Sequence, residues 1–135
     1  MEIARFPFKR IGRSEMGVIF RPYAQIQMFS SRRHSWIPVE VIVDTGADYT
    51  MFPKRYADLL GIDLNAECLP KTTLGIGGSE TVYLYKALKI RMGRWQKIVP
   101  VGFLERDDIP ALLGRLECME VLEVVFEKYE TRFGQ

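Results

Sequence analysis

The clearest periodicity in this chain is two. Ala24, Ile26 and Met28 alternate with Gln25 and Gln27, so Tyr23 to Phe29 predicts a half-buried strand. A polar turn from Ser30 to Ser35 follows, holding Arg32, Arg33 and His34. The β-prone run Trp36 to Val43 then returns as the second arm of a hairpin. Leu88, Ile90 and Met92 alternate with Lys89 and Arg91, Gly93-Arg94 makes a turn, and Ile98 to Leu104 predicts another strand despite Pro100. Behind the acidic loop Glu105 to Asp108 lies a short apolar run, Ile109 to Leu113. Leu122, Val124 and Phe126 alternate with Glu123 and Glu127 and predict the last strand. Helix is confined to two short stretches. Pro53 opens one that runs through Leu60 and closes at Gly61, with proline first and glycine just past the end. The second is a helical turn or two around Leu116 to Glu120.

The ends of the chain read less clearly. Ile3, Phe6 and Phe8 are apolar, but Pro7 confines any strand there to an edge. Lys9 to Ser14 reads as a polar turn and Val18 to Phe20 as resumed pairing. Lys128 to Gln135 is polar enough to fray. Many short strands with one or two small helices predict an all-β barrel or sandwich. We read residues 1–135 as one domain, with 1–20 as an N-terminal extension and 128–135 as a tail.

Two stretches stand out against this regular background. Between Leu69 and Leu84, the glycine-rich Gly75-Ile76-Gly77-Gly78 separates two β-prone arms, which predicts a hairpin with a mobile tip. The strand Val39 to Val43 ends in Asp44-Thr45-Gly46-Ala47-Asp48. A carboxylate at the rim of a core meets desolvation, which raises proton affinity. Thr45 can hydrogen-bond locally, and Gly46 allows a backbone or ligand to approach closely.

Composition narrows the function classes. At 135 residues the chain can bury one ordinary core but not two. Nineteen basic residues against 17 acidic ones leave a net charge of +2, and no basic stripe with interleaved aromatics points to nucleic acid. No run approaches membrane-spanning length and Met1 to Arg10 lacks a signal-peptide core, so a cytoplasmic address is the default. Cys68 and Cys118 are expected as buried free thiols. One histidine and no Cys-x-x-Cys leave too few ligands for structural zinc, so neither metal nor cofactor is expected. The acidic loop Glu105 to Asp108 reads as a solvated turn, His34 as a surface residue, and Trp36 and Trp95 as packing anchors.

The order of Asp-Thr-Gly-Ala-Asp, a hairpin tipped by Gly-Ile-Gly-Gly, and Leu-Leu-Gly-Arg before a short helix resembles the retropepsins, the retroviral-type aspartic proteases of viral and cellular or bacterial origin. Arg21-Pro22 ahead of an alternating strand extends the resemblance, which covers Arg21 to Phe126. It implies a closed barrel with a flap hairpin, working as a homodimer on peptide or protein substrates. Asp44 would be the catalytic aspartate and Thr45-Gly46 its supporting turn, with Thr45 bonding its counterpart across a two-fold axis. Gly46, Ala47 and Asp48 would lie along the substrate, and Gly75, Ile76, Gly77 and Gly78 would form the flap. Ile109 and Leu112 would line side-chain pockets. Arg115 would pair with Asp48 of its own subunit, and Arg21 would reach Asp48 of the other. Three features depart from the compact viral enzymes: the longer Ser30 to Ser35 loop, Leu116 where those members usually carry Asn or Asp, and chain ends that extend further.

Aspartic proteolysis needs two carboxylates sharing one proton around a water. A chain with a single Asp-Thr-Gly can supply them only as a two-fold dimer. The competing expectation is a catalytically weak retropepsin-fold module for peptide binding or dimerisation. A piece of a larger polyprotein is a third expectation, set against a free-standing protein beginning at Met1.

Overall fold

Alternation along β4 (Tyr23–Ser30) and β5 (Ser35–Val43) sends Ala24, Ile26 and Met28, with Val39, Val41 and Val43, into one core. The two strands pair antiparallel from Tyr23 opposite Ile42 to Ser30 opposite Ser35. The computed structural model describes residues 1–75 and 78–135. Its main sheet continues through β6 (Thr50–Pro53), β7 (Leu69–Gly75), β8 (Gly78–Met92), β9 (Trp95–Leu104) and β10 (Ala111–Leu113), in the order β4-β5-β10-β6-β9-β8-β7. β4 also pairs with β8, at Gln27 opposite Arg91 and Met28 opposite Ile90. Pairings therefore run in a ring around a core that includes Phe52, Phe103, Ile90 and Leu113, all inaccessible to water.

Two details show how the sequence permits this ring. Leu69 to Leu84 and Leu88 to Met92 belong to a hairpin whose second arm, β8, is a single long strand. Its register against β9 slips between Tyr85 and Leu88, opposite Pro100. A proline cannot donate to the ladder, and the bulge places it where no partner is needed. Helix α1 (Lys54–Leu60) begins after Pro53 and ends at Gly61, whose φ of 75° is the left-handed cap that glycine adopts without strain. A second short helix, α2 (Leu64–Glu67), is capped by the Asp63 carboxylate.

The chain ends differ from their reading as extension and tail. Lys9 to Ser14, expected as a turn, is strand β2 (Lys9–Ser14), paired with β3 (Gly17–Arg21) in a hairpin of its own. The tail does not fray. β12 (Glu130–Gly134) is the central strand of a three-stranded sheet, between β1 (Glu2–Pro7) and β11 (Glu123–Glu127). Burial of Thr131 and Phe133, at alternate positions, holds it in place against its polar neighbours. The Met1 amino group donates to the Gln135 carbonyl at 2.8 Å, and Gln135 N–H returns to Met1 at 2.9 Å. Around Leu116 to Glu120 the expected helix is a turn followed by a 3-10 helix, Met119–Val121. No helix among the described residues is long and apolar enough to cross a membrane.

Candidate active site

β5 delivers Asp44 to the rim of the core. Its last ladder residue, Val43, donates its N–H to the Pro22 carbonyl at 2.8 Å. Asp44 N–H then donates to the Leu113 carbonyl at 3.0 Å, tying the loop to the end of β10. β10 lies between β5, to which it is parallel, and β6, to which it is antiparallel. The chain thus leaves β5 at Asp44, turns over the end of β10 and re-enters as β6.

The turn itself is held by its own residues. Gly46 N–H donates to Asp44 Oδ1 at 3.0 Å, and Ala47 N–H donates to the Asp44 carbonyl at 3.1 Å. Ala47 is buried under the turn, whereas Thr45, Gly46 and Asp48 are exposed and Asp44 is half-buried. A carboxylate fixed through Oδ1 by a backbone amide keeps Oδ2 to accept a proton or a water hydrogen.

A second segment clamps the turn from beneath. Arg115 N–H donates to the Ala47 carbonyl at 3.0 Å, and Leu116 N–H to the Asp48 carbonyl at 2.8 Å. Arg115 Nη2 also donates to Asp48 Oδ1 at 2.6 Å. With both side chains well exposed, that pair contributes at most about 1 kcal/mol and serves mainly to orient the groups. Gly114 N–H donates to the buried Thr50 Oγ1 at 3.0 Å. A Cβ on Gly114 would lie 2.2 Å from the Tyr49 carbonyl, so only glycine fits where these two backbones cross. Thr50 also meets Cys118, a free thiol that burial pushes up to about 12 and that the Thr50 hydroxyl draws partly back.

The structure thus brings together Asp44, Gly46, Ala47, Asp48 and Arg115. Ile109 and Leu112 are half-buried on the segment carrying β10. Arg21 is exposed at the end of β3, beside the Pro22 carbonyl that holds Val43. Gly75 and Gly78 face each other where β7 meets β8, while Ile76 and Gly77 lie outside the described residues. Pro22 and Gly114 enter the sequence reading only as motif positions without a role of their own, and Thr50 and Cys118 do not enter it as site residues. The only sequence signal was a glycine and a β-branched hydroxyl beside apolar runs. Two larger clefts, of about 370 and 460 Å³, are lined around Asp58 and Tyr83 and around Leu69 and Tyr85, away from Asp44. Among the described residues, no three His, Cys, Asp or Glu side chains gather where they could hold a metal ion.

The aspartate turn is thus crossed beneath by a glycine-arginine segment. The sequence model of the aspartyl protease family matches residues 36–115, more than half of the chain, from the start of β5 to Arg115, and the chain belongs to that family. Its fold is retropepsin-like: the crystal structure of a retropepsin-like aspartic protease from Rickettsia conorii matches with a TM-score of 0.68. That match covers 97% of this chain and 99% of the other at 20% identity, a likeness of fold. No curated protein sequence matches the chain significantly.

Proposed function

We propose that the chain is a homodimeric aspartic endopeptidase, hydrolysing peptide bonds with a water held between the Asp44 side chains of two copies. The observation that carries this reading is the half-exposed Asp44 carboxylate, oriented at a rim by the Gly46 amide and seated on the Gly114–Leu116 segment. One carboxylate cannot be base and acid at once. A second copy related by a two-fold axis supplies the other, and two like charges at hydrogen-bond distance hold one proton between them, as in aspartic proteases generally. The ionised member takes a proton from the water, and the protonated member donates to the scissile carbonyl oxygen.

The remaining site residues take their places around that pair. Thr45, exposed beside Asp44, bonds its counterpart across the axis. Arg21 approaches Asp48 of the second copy, whose exposed carboxylate already holds Arg115 of its own chain. Gly46, Ala47 and Asp48 run along the substrate backbone, and Ile109 and Leu112 line its side-chain pockets. The ring of strand pairings supports a closed barrel, with the hairpin of β7 and β8 as its flap. Gly75 to Gly78, with Ile76 at the tip, close over the substrate, since glycines change φ and ψ at little cost.

Asp44→Asn keeps the shape and removes the base. Hydrolysis of a peptide library falls roughly 10²–10⁴-fold while fold and dimer persist. For the wild type, kcat/KM against pH follows a bell whose two limbs belong to the pair. Undiminished turnover in Asp44→Asn, or a rate climbing steadily into alkaline pH, contradicts the assignment.

A further inference from the structure

The hairpin of β2 and β3 stands apart from both other sheets. Only its base is anchored. Phe20 stacks on Tyr129 with ring centroids 5.0 Å apart, and Lys9 pairs with Glu40 while lying over the Tyr23 ring. Beyond that base it presents Ile11, Val18 and Ile19, each about two-fifths exposed, and Met16 at 95%. Arg10 lies opposite Phe20 and Arg13 opposite Val18, so guanidinium groups and apolar side chains alternate on one face. Residues 9–21 carry four basic side chains against one acidic. Among the described residues, Arg10, Arg13 and Arg21 make no ion pair.

A surface of the opposite character begins below the Asp44 turn and ends beside the base of the same hairpin, where Phe126 packs edge-on against Phe8 at 5.9 Å. Residues 116–127 carry four glutamates and no basic side chain. Glu117 and Glu123 pair with Lys97 and Arg132, while Glu120 and Glu127 make no ion pair among the described residues. Leu116, Val121 and Phe126 are exposed among them. Both surfaces are rooted in the same loop. The hairpin leads into Pro22, which accepts from Val43 N–H, and the acidic strip begins at Leu116, whose N–H donates to the Asp48 carbonyl. Elements flanking a two-fold axis on one copy meet elements flanking it on the other. The chain ends, meanwhile, are already bonded to each other within one chain by Met1 and Gln135.

We infer that the β2–β3 hairpin is a dimerisation arm, laid by each copy across the acidic, apolar strip 116–127 of a second copy of this chain. This inference rests on the proposed two-fold site. The two surfaces match in charge and in apolar content, and reciprocal exchange buries both arms in one isologous interface. Arg10 and Arg13 meet glutamates while Ile11, Val18 and Ile19 meet Leu116 and Val121.

Sedimentation velocity on the full chain tests it. Arg10→Glu with Arg13→Glu weakens the dimer at least about tenfold, since two attractions become repulsions. Adding Glu120→Lys and Glu127→Lys restores it, and raised salt weakens the wild type by screening. Circular dichroism melts at low concentration stay unchanged, because these side chains bear on no core. An unchanged dimer in the doubly reversed arm overturns the inference, as does a wild type that stays monomeric at every concentration. So does an arm whose reversal spares the dimer but abolishes sedimentation with phosphatidylserine vesicles, which would assign it to a lipid surface. Loss of the protease reading is a separate result: hydrolysis retained by Asp44→Asn removes that reading whatever the arm does.

Discussion

A thiol surrounded by side chains and no water resists ionisation, and Cys118 beneath the Asp44 turn is such a thiol. Burial lifts it from an ordinary 9.0 to about 12. Within that window the unfolded chain releases a proton that the folded chain keeps. Stability contributed by the neutral thiol is therefore intact below about 9 and declines as pH rises toward about 12, at roughly 1.4 kcal/mol per unit. Cys68 and Tyr85, also raised by burial, act with the same sign. Comparing the wild type with Cys118→Ala isolates the one thiol. Urea midpoints of the variant start lower, from lost packing, but fall less steeply with alkaline pH. Equal slopes in the two proteins would contradict the burial account. At this scale Asp44 was legible, because a β-branched run ending in Asp-Thr-Gly states both the strand and its rim. Cys118 and Thr50 were not, because what gives them a role is a contact across 68 positions, visible only once β6 and the 3-10 helix are folded together.

Among the elements, the crossing of Gly114 under Tyr49 decides whether the site forms. Gly114→Ala drives a methyl group into the backbone carbonyl, and a rigid neighbour cannot yield as a side-chain tip would. Such overpacking costs about 1–3 kcal/mol, occasionally more. Because Ala47 and Asp48 hang on Arg115 and Leu116, hydrolysis falls further than the lost folded fraction explains. Urea midpoints with turnover well below the melting temperature check both effects, and a wild-type midpoint would refute the crossing. The same scale shows where reading by pattern stopped. β4, with clean alternation, and β5 beside it match the sequence reading within a residue. β6, also central, has no counterpart in it, because four residues are too short to show a period. β2 reads as a turn in the sequence because its alternation is broken by Gly12 and a register slip between Arg10 and Gly12. β12 reads as a fraying tail because Lys128, Glu130 and Arg132 mask the pair Thr131 and Phe133. Nothing local reveals that β1 and β11 flank those two residues from opposite ends of the chain.

For the whole molecule the proposed dimer is the central demand, since one Asp44 carboxylate cannot be base and acid at once. Asp44 lies half-exposed in one chain, and in the proposed dimer a second copy covers it. Dimerisation then stabilises the fold by mass action. Apparent melting temperature rises with protein concentration, by a few degrees over a hundredfold range for a domain of this size. A melting temperature independent of concentration, with a monomeric mass in solution, argues against a shared site.

The most direct test mixes wild-type chains with Asp44→Asn chains at fixed total concentration and allows exchange. If each site needs an aspartate from both copies, hybrid dimers are inactive and hydrolysis follows the square of the wild-type fraction. Equal amounts of the two then leave about a quarter of the activity, by the symmetry of an isologous dimer. Hydrolysis that instead falls in direct proportion to the wild-type fraction means that each chain works alone, and contradicts the shared Asp44 site.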